Sequence, residues 1–564
     1  MFGLARCLLA LAVSSVLADW DEVAVRLSER VDLLHFAEAH GLAYLGRIAN
    51  LSNYHLFRKR TDHNPSTHTH PADCEDSEWV QPQTRRQLDR RGQLHDDFND
   101  PQYGAQWHWH DAEVGLELPG AWQRGYTGAG VTISILDDGL DYQHPDLVHG
   151  YSHELSYDIN GQRKVPELQH ADVHGTMAAG LAAGRGNNGV CGLGASHRAR
   201  IAAVRLVSRA TTDAEEAQGI SYGAPEVDVY SASWGPVDDG RRLEGPGHLA
   251  LEALEAVVNG HRLHPHLHGR NGKGAIYVWA AGNGRAAGDN CNYDGWANSR
   301  LTVTIAAMTD SAQPTLYSES CSALLATAPS SGGRRAITTS DIRGRAGQSS
   351  GDCVRGFSGT SAVAPMVAGI VGLMLQANPE LGWRDVQHIL VHSSTPVASD
   401  LGQLNTAGLY YSHRFGFGLI NATAAVVAAE RYAATRYTAA PADALEYCVQ
   451  LDEPVPDGSS VEQTIQVPEN RRLEHVEVRL SVEHPHRGEL EVSLHGPTTG
   501  GRQTRSQLAE QHRDPNPNYA NWTLMTMAHW DELSAGEWTL TVGDAVHNGQ
   551  VGRLNGWCLR LWTT

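Results

Sequence analysis

The chain predicts an α/β domain built on a parallel sheet, followed by an all-β sandwich. Three observations carry that reading. Residues 131–136, Val-Thr-Ile-Ser-Ile-Leu, are mostly β-branched and largely apolar, the mark of a strand buried on both faces. Segments opening at His174 and Ser361 continue as helices of small and apolar residues, 177–183 and 362–375. After about residue 433 the pattern changes to period-two alternation in 461–467, 475–482, 489–494, 538–542 and 557–562. Gly, Pro, Asn and Asp separate these runs, as in antiparallel sheets.

A length of 564 residues exceeds one hydrophobic core and implies two or three domains. Residues 1–18 carry Arg6, an apolar stretch over 8–17 and Val16-Leu17-Ala18 as a cleavage site, the pattern of a secretory signal. That stretch is too short to span a bilayer, and the expectation is a chain without a membrane span. Of eight cysteines, Cys7 lies in the signal and Cys74 in the following segment. Six remain: Cys191, Cys291, Cys321, Cys353, Cys448 and Cys558. An even number in a secreted chain suggests three bridges, but spacing leaves their connectivity open. The formal charge of −20 argues against nucleic acid as a partner. It suits cationic peptides, although solubility alone also explains it.

The candidate chemistry starts at Gly359-Thr360-Ser361-Ala362. A serine at a helix mouth lies near unpaired N–H groups and the positive end of the dipole, though Gly-Thr-Ser also opens ordinary helices. Upstream, Asp137 stands at the carboxyl end of the buried strand, where α/β sheets place ligands, and His174 opens a helix. A serine hydroxyl needs a base to become a nucleophile. A histidine titrates in the right range, and an aspartate orients and stabilises it. Asn283, after the strand-like run 275–281, offers an amide to a developing oxyanion.

Asp137-Asp138-Gly139, His174-Gly175-Thr176, Gly282-Asn283-Gly284 and Gly359-Thr360-Ser361-Ala362-Val363-Ala364-Pro365, in that order, resemble the subtilisin superfamily. The order Asp, His, Ser is that of subtilisin. Residues 230–236, Asp238-Asp239-Gly240 and residues 381–388 narrow the resemblance to the kexin/furin-type proprotein convertases; Gly382 departs mildly from the usual threonine. The resemblance covers nearly the whole chain. It implies a signal peptide (1–18), a small α+β inhibitory propeptide (19–91), a subtilisin-like catalytic domain (92–433) and a β-sandwich, jelly-roll P domain (434–564). It implies a calcium-dependent serine endopeptidase that cleaves proproteins after Lys-Arg or Arg-Arg in the secretory pathway. The chain would be monomeric and lumenal or secreted, with its own propeptide as inhibitor and folding aid.

Residue by residue, the resemblance assigns catalysis to Asp137, His174 and Ser361, with Asn283 at the oxyanion. Asp238 and Asp294, helped by the Pro236 and Ala280 carbonyls, would hold the arginine before the scissile bond, since a guanidinium needs carboxylates. Asp138 and Asp172 would face the next basic residue; Glu216, Glu244 and Trp296 would line an outer subsite. Val237 and Ala210 stand where acids are usual, and Leu88 lies four residues back from the cut after Arg91. A dibasic preference without a strict upstream arginine follows. Arg91 is the main autoprocessing point, Arg60 the internal one, and His55 a candidate pH sensor. Calcium takes oxygen ligands. One site would use Asp100, Asp146 and Asn188 with carbonyls of Arg185, Val190 and Gly192; another would use Asp238, Asp289 and Glu319. A third is lost: Asp158 persists, but Arg163 and Val165 stand where acids are expected. The implied bridges are Cys191–Cys353, Cys291–Cys321 and Cys448–Cys558. A broad degradative subtilisin and a non-catalytic binding protein on the same fold are the competing readings.

Overall fold

The computed structural model describes residues 22–28, 30–48, 51, 53–59, 77–83, 98–165, 168, 172–259, 265–400, 402–432 and 444–564. The chain divides into two compact units, Met1–His95 and Asp96–Thr564. In the first, an antiparallel sheet has the order Leu42–Arg47, Tyr54–Lys59, Glu22–Leu27, Ser77–Pro82. The helix Leu33–Ala39 is capped by Asp32, whose carboxylate accepts the Leu34 and His35 N–H groups. Arg60 and Arg91 lie outside the described residues, as do the signal segment and Cys74.

The second unit opens with a seven-stranded parallel sheet: β1 (Thr132–Asp137), β2 (Tyr157–Asp158), β3 (Arg200–Arg205), β4 (Val229–Ala232), β5 (Ile276–Ala280), β6 (Thr302–Met308) and β7 (Ala326–Pro329), in the order β7-β6-β5-β4-β1-β3-β2. Every residue of β1 is buried, which is why its sequence shows no alternation. The strand order reverses at β1, a topological switch point whose carboxyl end is the expected place for a ligand.

Helix α1 (His174–Ala183) is buried beyond its first residue. Small side chains let it lie close to the sheet: a Cβ on Gly175 would stand 2.1 Å from the Gly139 carbonyl. The turn Thr360–Ala362 leads into α2 (Val363–Ala377), buried from Val363 to Leu375. Residues 360–377 are long and apolar enough to cross a membrane by composition, but 83% of that window is buried in the core. Gly359, at φ 87°, makes the left-handed bend that presents the turn. Helix α3 (Trp383–Ser393) follows.

The sandwich has two antiparallel sheets. One joins β8 (Ala444–Val455), β15 (Gly552–Thr563), β10 (Leu473–Glu483) and β13 (Tyr519–Thr526); the other joins β9 (Ser460–Val467), β14 (Gly536–Asp544), β11 (Leu490–His495) and β12 (Arg505–Ala509). Strand β8 alternates half-buried and exposed along nearly its full length. Strand β10 is instead buried on both faces from Leu473 to Val478. Its outer face meets α3: Arg384 Nε and a terminal nitrogen donate to Glu474 at 2.8 and 2.7 Å, and His388 Nε2 to the same carboxylate at 2.8 Å. The sandwich is therefore fastened to the α/β part through a buried ionic cluster. The three disulfides are Cys191–Cys353, Cys291–Cys321 and Cys448–Cys558; the last joins directly opposed residues of β8 and β15.

Candidate active site

Asp137, at the end of β1, lies 2.9 Å from His174 Nδ1 through both carboxylate oxygens. It also accepts the Asp138 N–H at 2.7 Å. These contacts put the proton on Nδ1 and leave Nε2 as the basic nitrogen. Burial alone would lower the pKa of His174, but the charge and hydrogen bond of Asp137, with the charge of Asp138, override it and raise it to about 9. Asp138 accepts the His174 and Gly175 N–H groups at 3.0 and 2.8 Å, so it caps α1. Burial and the Asp137 charge push Asp138 up to about 7.

The Thr360–Ala362 turn packs against α1, and Ser361 is 8% exposed there. The His174 ring meets Phe357 edge-on at 5.3 Å. Among the described residues no hydrogen bond joins Ser361 Oγ to His174; in substrate-free enzymes such contacts are often long and close on binding. Asn283 Oδ1 accepts the Thr360 N–H at 2.8 Å and its hydroxyl at 3.1 Å, which ties the amide to the serine-bearing turn.

Beside Asn283 lies an acidic cleft lined by Pro236, Asp238, Asp289, Tyr293, Asp294 and Glu319, among others. Asp238 accepts the Asn283 N–H at 3.0 Å, Asp289 the Gly240 N–H at 2.9 Å, and Glu319 the Gly284 N–H at 2.9 Å. Asp294 accepts the Trp296 N–H at 2.8 Å. Burial is the main cause that raises all four; repulsion within the set adds to it at Asp289, Asp294 and Glu319, and the Asp239 charge adds to it at Asp238. Asp294 reaches about 7 and Asp289 about 6, with Glu319 well above its usual range and Asp238 also raised. Ala280 ends β5 at the same edge.

Two assigned residues sit differently from expectation. Asp172 does not face open solvent as a free acid. It is buried, accepts from Arg205 at 2.9 Å and is bonded by the Ser208 hydroxyl. Arg205 also holds Asp158, whose other oxygen takes Arg163 at 3.0 Å. Guanidinium groups thus supply positive charge where the sequence retains a lone acid. Trp296 is 4% exposed and stacks flat on Trp279 at 5.0 Å, so its indole belongs to the core. Glu244 is exposed and its backbone bridges to Asp294. Glu216 is half-buried and accepts the Thr211 hydroxyl at 2.8 Å.

Oxygen ligands for a hard cation gather at Asp100, Asp146 and Asn188. The Asn188 amide is 2.9 Å from Asp146, whose carboxyl burial raises to about 7, with the Asp100 charge contributing. Arg185, Val190 and Gly192 lie in the adjoining loop, where the Arg185 N–H donates to the Asp146 carbonyl at 2.9 Å. The two carboxylates are the donors calcium takes, and Asn188 joins them once its amide, whose NH2 faces Asp146, turns its oxygen inward. Asp238, Asp289 and Glu319 share one cleft but do not close within 4.8 Å as a set. In the first unit, His55 Nδ1 is 3.0 Å from the Tyr44 hydroxyl, and burial with the Arg47 charge lowers its pKa. Sequence reading missed the Arg384–Glu474–His388 cluster and a His484–Glu489–Asp544 group, both formed between distant segments.

A subtilase-family profile matches residues 128–418, and a proprotein convertase P-domain profile matches residues 473–561. The chain is 38% identical over 569 residues to "Proprotein convertase subtilisin/kexin type 6" of Rattus norvegicus, covering 94% of this chain and 58% of that protein. It is 36% identical over 554 residues to furin of Mus musculus, covering 94% and 66%. The chain spans about two thirds or less of the curated relatives it matches. Among solved structures, the serine protease of Aeromonas sobria superposes with a TM-score of 0.72 at 20% identity, over 83% of this chain and 96% of that one; that likeness is one of fold. The chain belongs to the subtilase family, with a proprotein convertase P-domain behind its subtilase region.

Proposed function

We propose that this chain is a calcium-dependent serine endopeptidase that cleaves secretory proproteins after paired basic residues. The observation that carries the reading is the acidic cleft of four raised carboxylates, joined through Asn283 to the serine-bearing turn that packs on the His174 helix. Arg242 also lines the cleft but is bonded to Asp239 at 3.1 Å, and a buried acid cluster with no ion pair of its own suits a cationic side chain.

Ser361 Oγ attacks the carbonyl carbon of the scissile peptide as His174 Nε2 takes its proton. Asp137 holds the imidazole by Nδ1 and stabilises the imidazolium. Asn283 donates its amide to the tetrahedral oxyanion; loss of one such donor costs about 3–4 kcal/mol where measured. His174 then protonates the leaving amine, and water completes the acyl-enzyme hydrolysis. The arginine before the cut enters between Asp238 and Asp294, with the Pro236 and Ala280 carbonyls on its other donors. Asp138 faces the next basic residue, without Asp172, which is held by Arg205. Glu216 and Glu244 attract basic residues further upstream. Asp100, Asp146 and Asn188 would hold a calcium ion, which would supply positive charge to the buried carboxylates and fix the loop that carries them. Asp238, Asp289 and Glu319 would hold a second ion behind the pocket only by drawing together from the separation they have around the cleft. The division into signal (1–18), propeptide (19–91), catalytic (92–433) and P domain (434–564) completes the reading. Cuts after Arg91 and Arg60 release the inhibitor, and a monomer works in the secretory lumen or outside the cell.

The test uses the full chain, matured by its own processing, on fluorogenic peptides ending in Arg-Arg and in Ala-Leu, with and without a calcium chelator. Turnover of Arg-Arg alone, lost on chelation and restored by calcium, is expected. Equal turnover of both peptides points to a degradative subtilisin, and no turnover by protein correctly cut after Arg91 points to a binding protein.

A further inference from the structure

At the edge of the sandwich three buried ligand atoms converge without hydrogen-bond partners. They are His484 Nε2, Glu489 Oε2 and Asp544 Oδ2, all within 4.8 Å of one another. His484 Nε2 stands 3.4 Å from Asp544 Oδ2 and 4.0 Å from Glu489 Oε2. The side chains of His484 and Asp544 are 0% exposed and that of Glu489 16%. A buried polar atom left unsatisfied is destabilising, so three together call for a ligand.

The outer atom of each side chain is anchored. Asp544 Oδ1 accepts the Val546 N–H at 3.0 Å. Glu489 Oε1 accepts from the Asn548 amide at 2.9 Å and lies 3.2 Å from His486 Nδ1. His484 Nδ1 lies 2.7 Å from the His486 carbonyl oxygen. A carbonyl can only accept, so Nδ1 carries a proton and Nε2 is the inner atom. The His486 N–H is 3.1 Å from Nδ1, but a bare lone pair at 2.7 Å from a carbonyl would be repelled. The sheet register holds the set together, since Leu490 pairs with Asp544 across β11 and β14.

An imidazolium would relieve the charge, yet Nε2 makes no hydrogen bond to either carboxylate, and charge-assisted bonds normally close to about 2.7–2.9 Å. The 3.4 Å between His484 Nε2 and Asp544 Oδ2 suits a shared metal better, and Glu489 Oε2, at 4.0 Å, would draw in by about 0.6 Å to join them. Two ligands about 2.1 Å from one ion, at tetrahedral or octahedral angles, stand about 3.0–3.4 Å apart. One imidazole with two carboxylates is a mixed nitrogen and oxygen set, which favours a borderline transition ion over calcium, whose ligands are oxygens. A surface cleft lined by Glu483, His484, Pro485, Pro517, Asn518 and Gly552, among others, opens beside the imidazole, giving a route for the ion and for water in the remaining positions.

We propose that His484, Glu489 and Asp544 bind one divalent transition-metal ion of the zinc class, and that the ion clips the His484–Glu489 turn to the end of β14. A second group, His388, His392 and Asp531, is the natural control. There His388 is already bonded to Glu474 at 2.8 Å, and His392 to Asp531 at 3.0 Å.

The test is retention of zinc by the full chain dialysed in excess calcium, read by elemental analysis and by X-ray absorption at the zinc edge. One zinc per chain is expected, with a nitrogen ligand at about 2.0–2.1 Å and carboxylate oxygens at about 2.0–2.2 Å. Glu489→Gln and Asp544→Asn should each weaken zinc binding at least tenfold, whereas His392→Gln should leave it unchanged. If neither variant folds by circular dichroism, the wild-type chain decides: zinc added over saturating calcium should raise Tm and produce the same edge spectrum. Failure to retain zinc, an edge without nitrogen, or binding that survives both carboxylate variants but falls in His392→Gln overturns the proposal.

Discussion

Two groups of buried carboxylates in the same compact unit behave in opposite ways. Glu474, under α3, would be raised by burial, yet hydrogen bonds from His388 and Arg384 and the Arg384 charge bring it down to about 2. Asp294, in the cleft beside Asn283, is pushed up to about 7, and Asp289 to about 6. No Lys, Arg or His ion pair reaches Asp238, Asp289, Asp294 or Glu319 among the described residues. The first acid carries its own counter-charge and serves as a fastening. The cleft acids are in no ion pair, since Arg242 at their rim is bonded to Asp239, and their burial is relieved by taking up protons or by an incoming cation. Paired acids mark structure, and unpaired buried acids mark a place for a ligand.

The sharpest break of that contrast is Glu474→Gln. It strands Arg384 in a buried site, and losing one partner of a buried pair costs about 3–5 kcal/mol. Denaturant unfolding of the full chain should show that loss, while kcat/KM per folded molecule stays within about twofold. The pH dependence has a fixed sign. The folded pKa of Glu474 is depressed from 4.5 to about 2, so its stabilisation is complete above about pH 5 and lost as pH falls through about 2. The size is about 3 kcal/mol, and Glu474→Gln should flatten the acid limb of stability against pH. A limb unchanged by the substitution would remove Glu474 from the fastening role.

Asp294→Asn should act the other way. The amide keeps the hydrogen bond from Trp296 but removes an uncompensated charge, so unfolding stability should hold or rise. Turnover of an Arg-Arg peptide should fall about 100-fold or more, because truncating a buried charge partner costs about 2–5 kcal/mol. Equal losses on Arg-Arg and Ala-Leu peptides would show that the residue supports the fold rather than selecting the substrate.

Asp138→Asn tests the border between the two groups. The carboxylate raises His174 while capping α1. The base must be neutral to act, so activity climbs as pH rises through the His174 pKa. Removing one of the two negative charges beside the imidazole should move that limb to lower pH, with a smaller change in kcat at its plateau. The profile of kcat/KM against pH reads the shift, and an unmoved limb would separate Asp138 from the imidazole.

Local chemistry made much of this legible. The continuous apolar run at 131–136 is β1 within one residue, and the small residues after His174 and Ser361 are the two buried helices. The order of aspartate, histidine and serine picked out Asp137 and His174, which the structure bonds together, and Ser361, on a turn that packs against the His174 helix. What failed depended on partners remote in sequence. Asp172 reads as a subsite acid beside Asp138 until Arg205, on β3, is seen to bond it. Trp296 reads as a subsite residue until Trp279 stacks on it. Strand β10 loses its alternation because α3 covers the face that would otherwise be wet. Strand β13 was missed because Asn521, in an Asn-Trp-Thr sequon, adopts φ 55°, which interrupts an extended pattern. Periodicity reports a residue's own two faces; it cannot report which of them another layer will cover.

The rim of the α3 contact supplies the smallest test. His392 Nε2 meets Asp531 at 3.0 Å, but the imidazole is 47% exposed, and Arg472 approaches the same carboxylate at 3.3 Å. Solvent screens such a pair, and exposed pairs contribute about 0–1 kcal/mol. His392→Gln should therefore cost less than about 1 kcal/mol in denaturant unfolding, several-fold below Glu474→Gln, whose partner His388 lies one helical turn away. Salt should erase most of the His392 effect and little of the Glu474 effect, since a Debye length of about 8 Å at physiological ionic strength screens the rim and not the interior. A His392→Gln loss as large and as salt-resistant as that at Glu474 would mean that the rim is as dry as the centre, and that counter-charge rather than burial decides which acids fasten the sandwich.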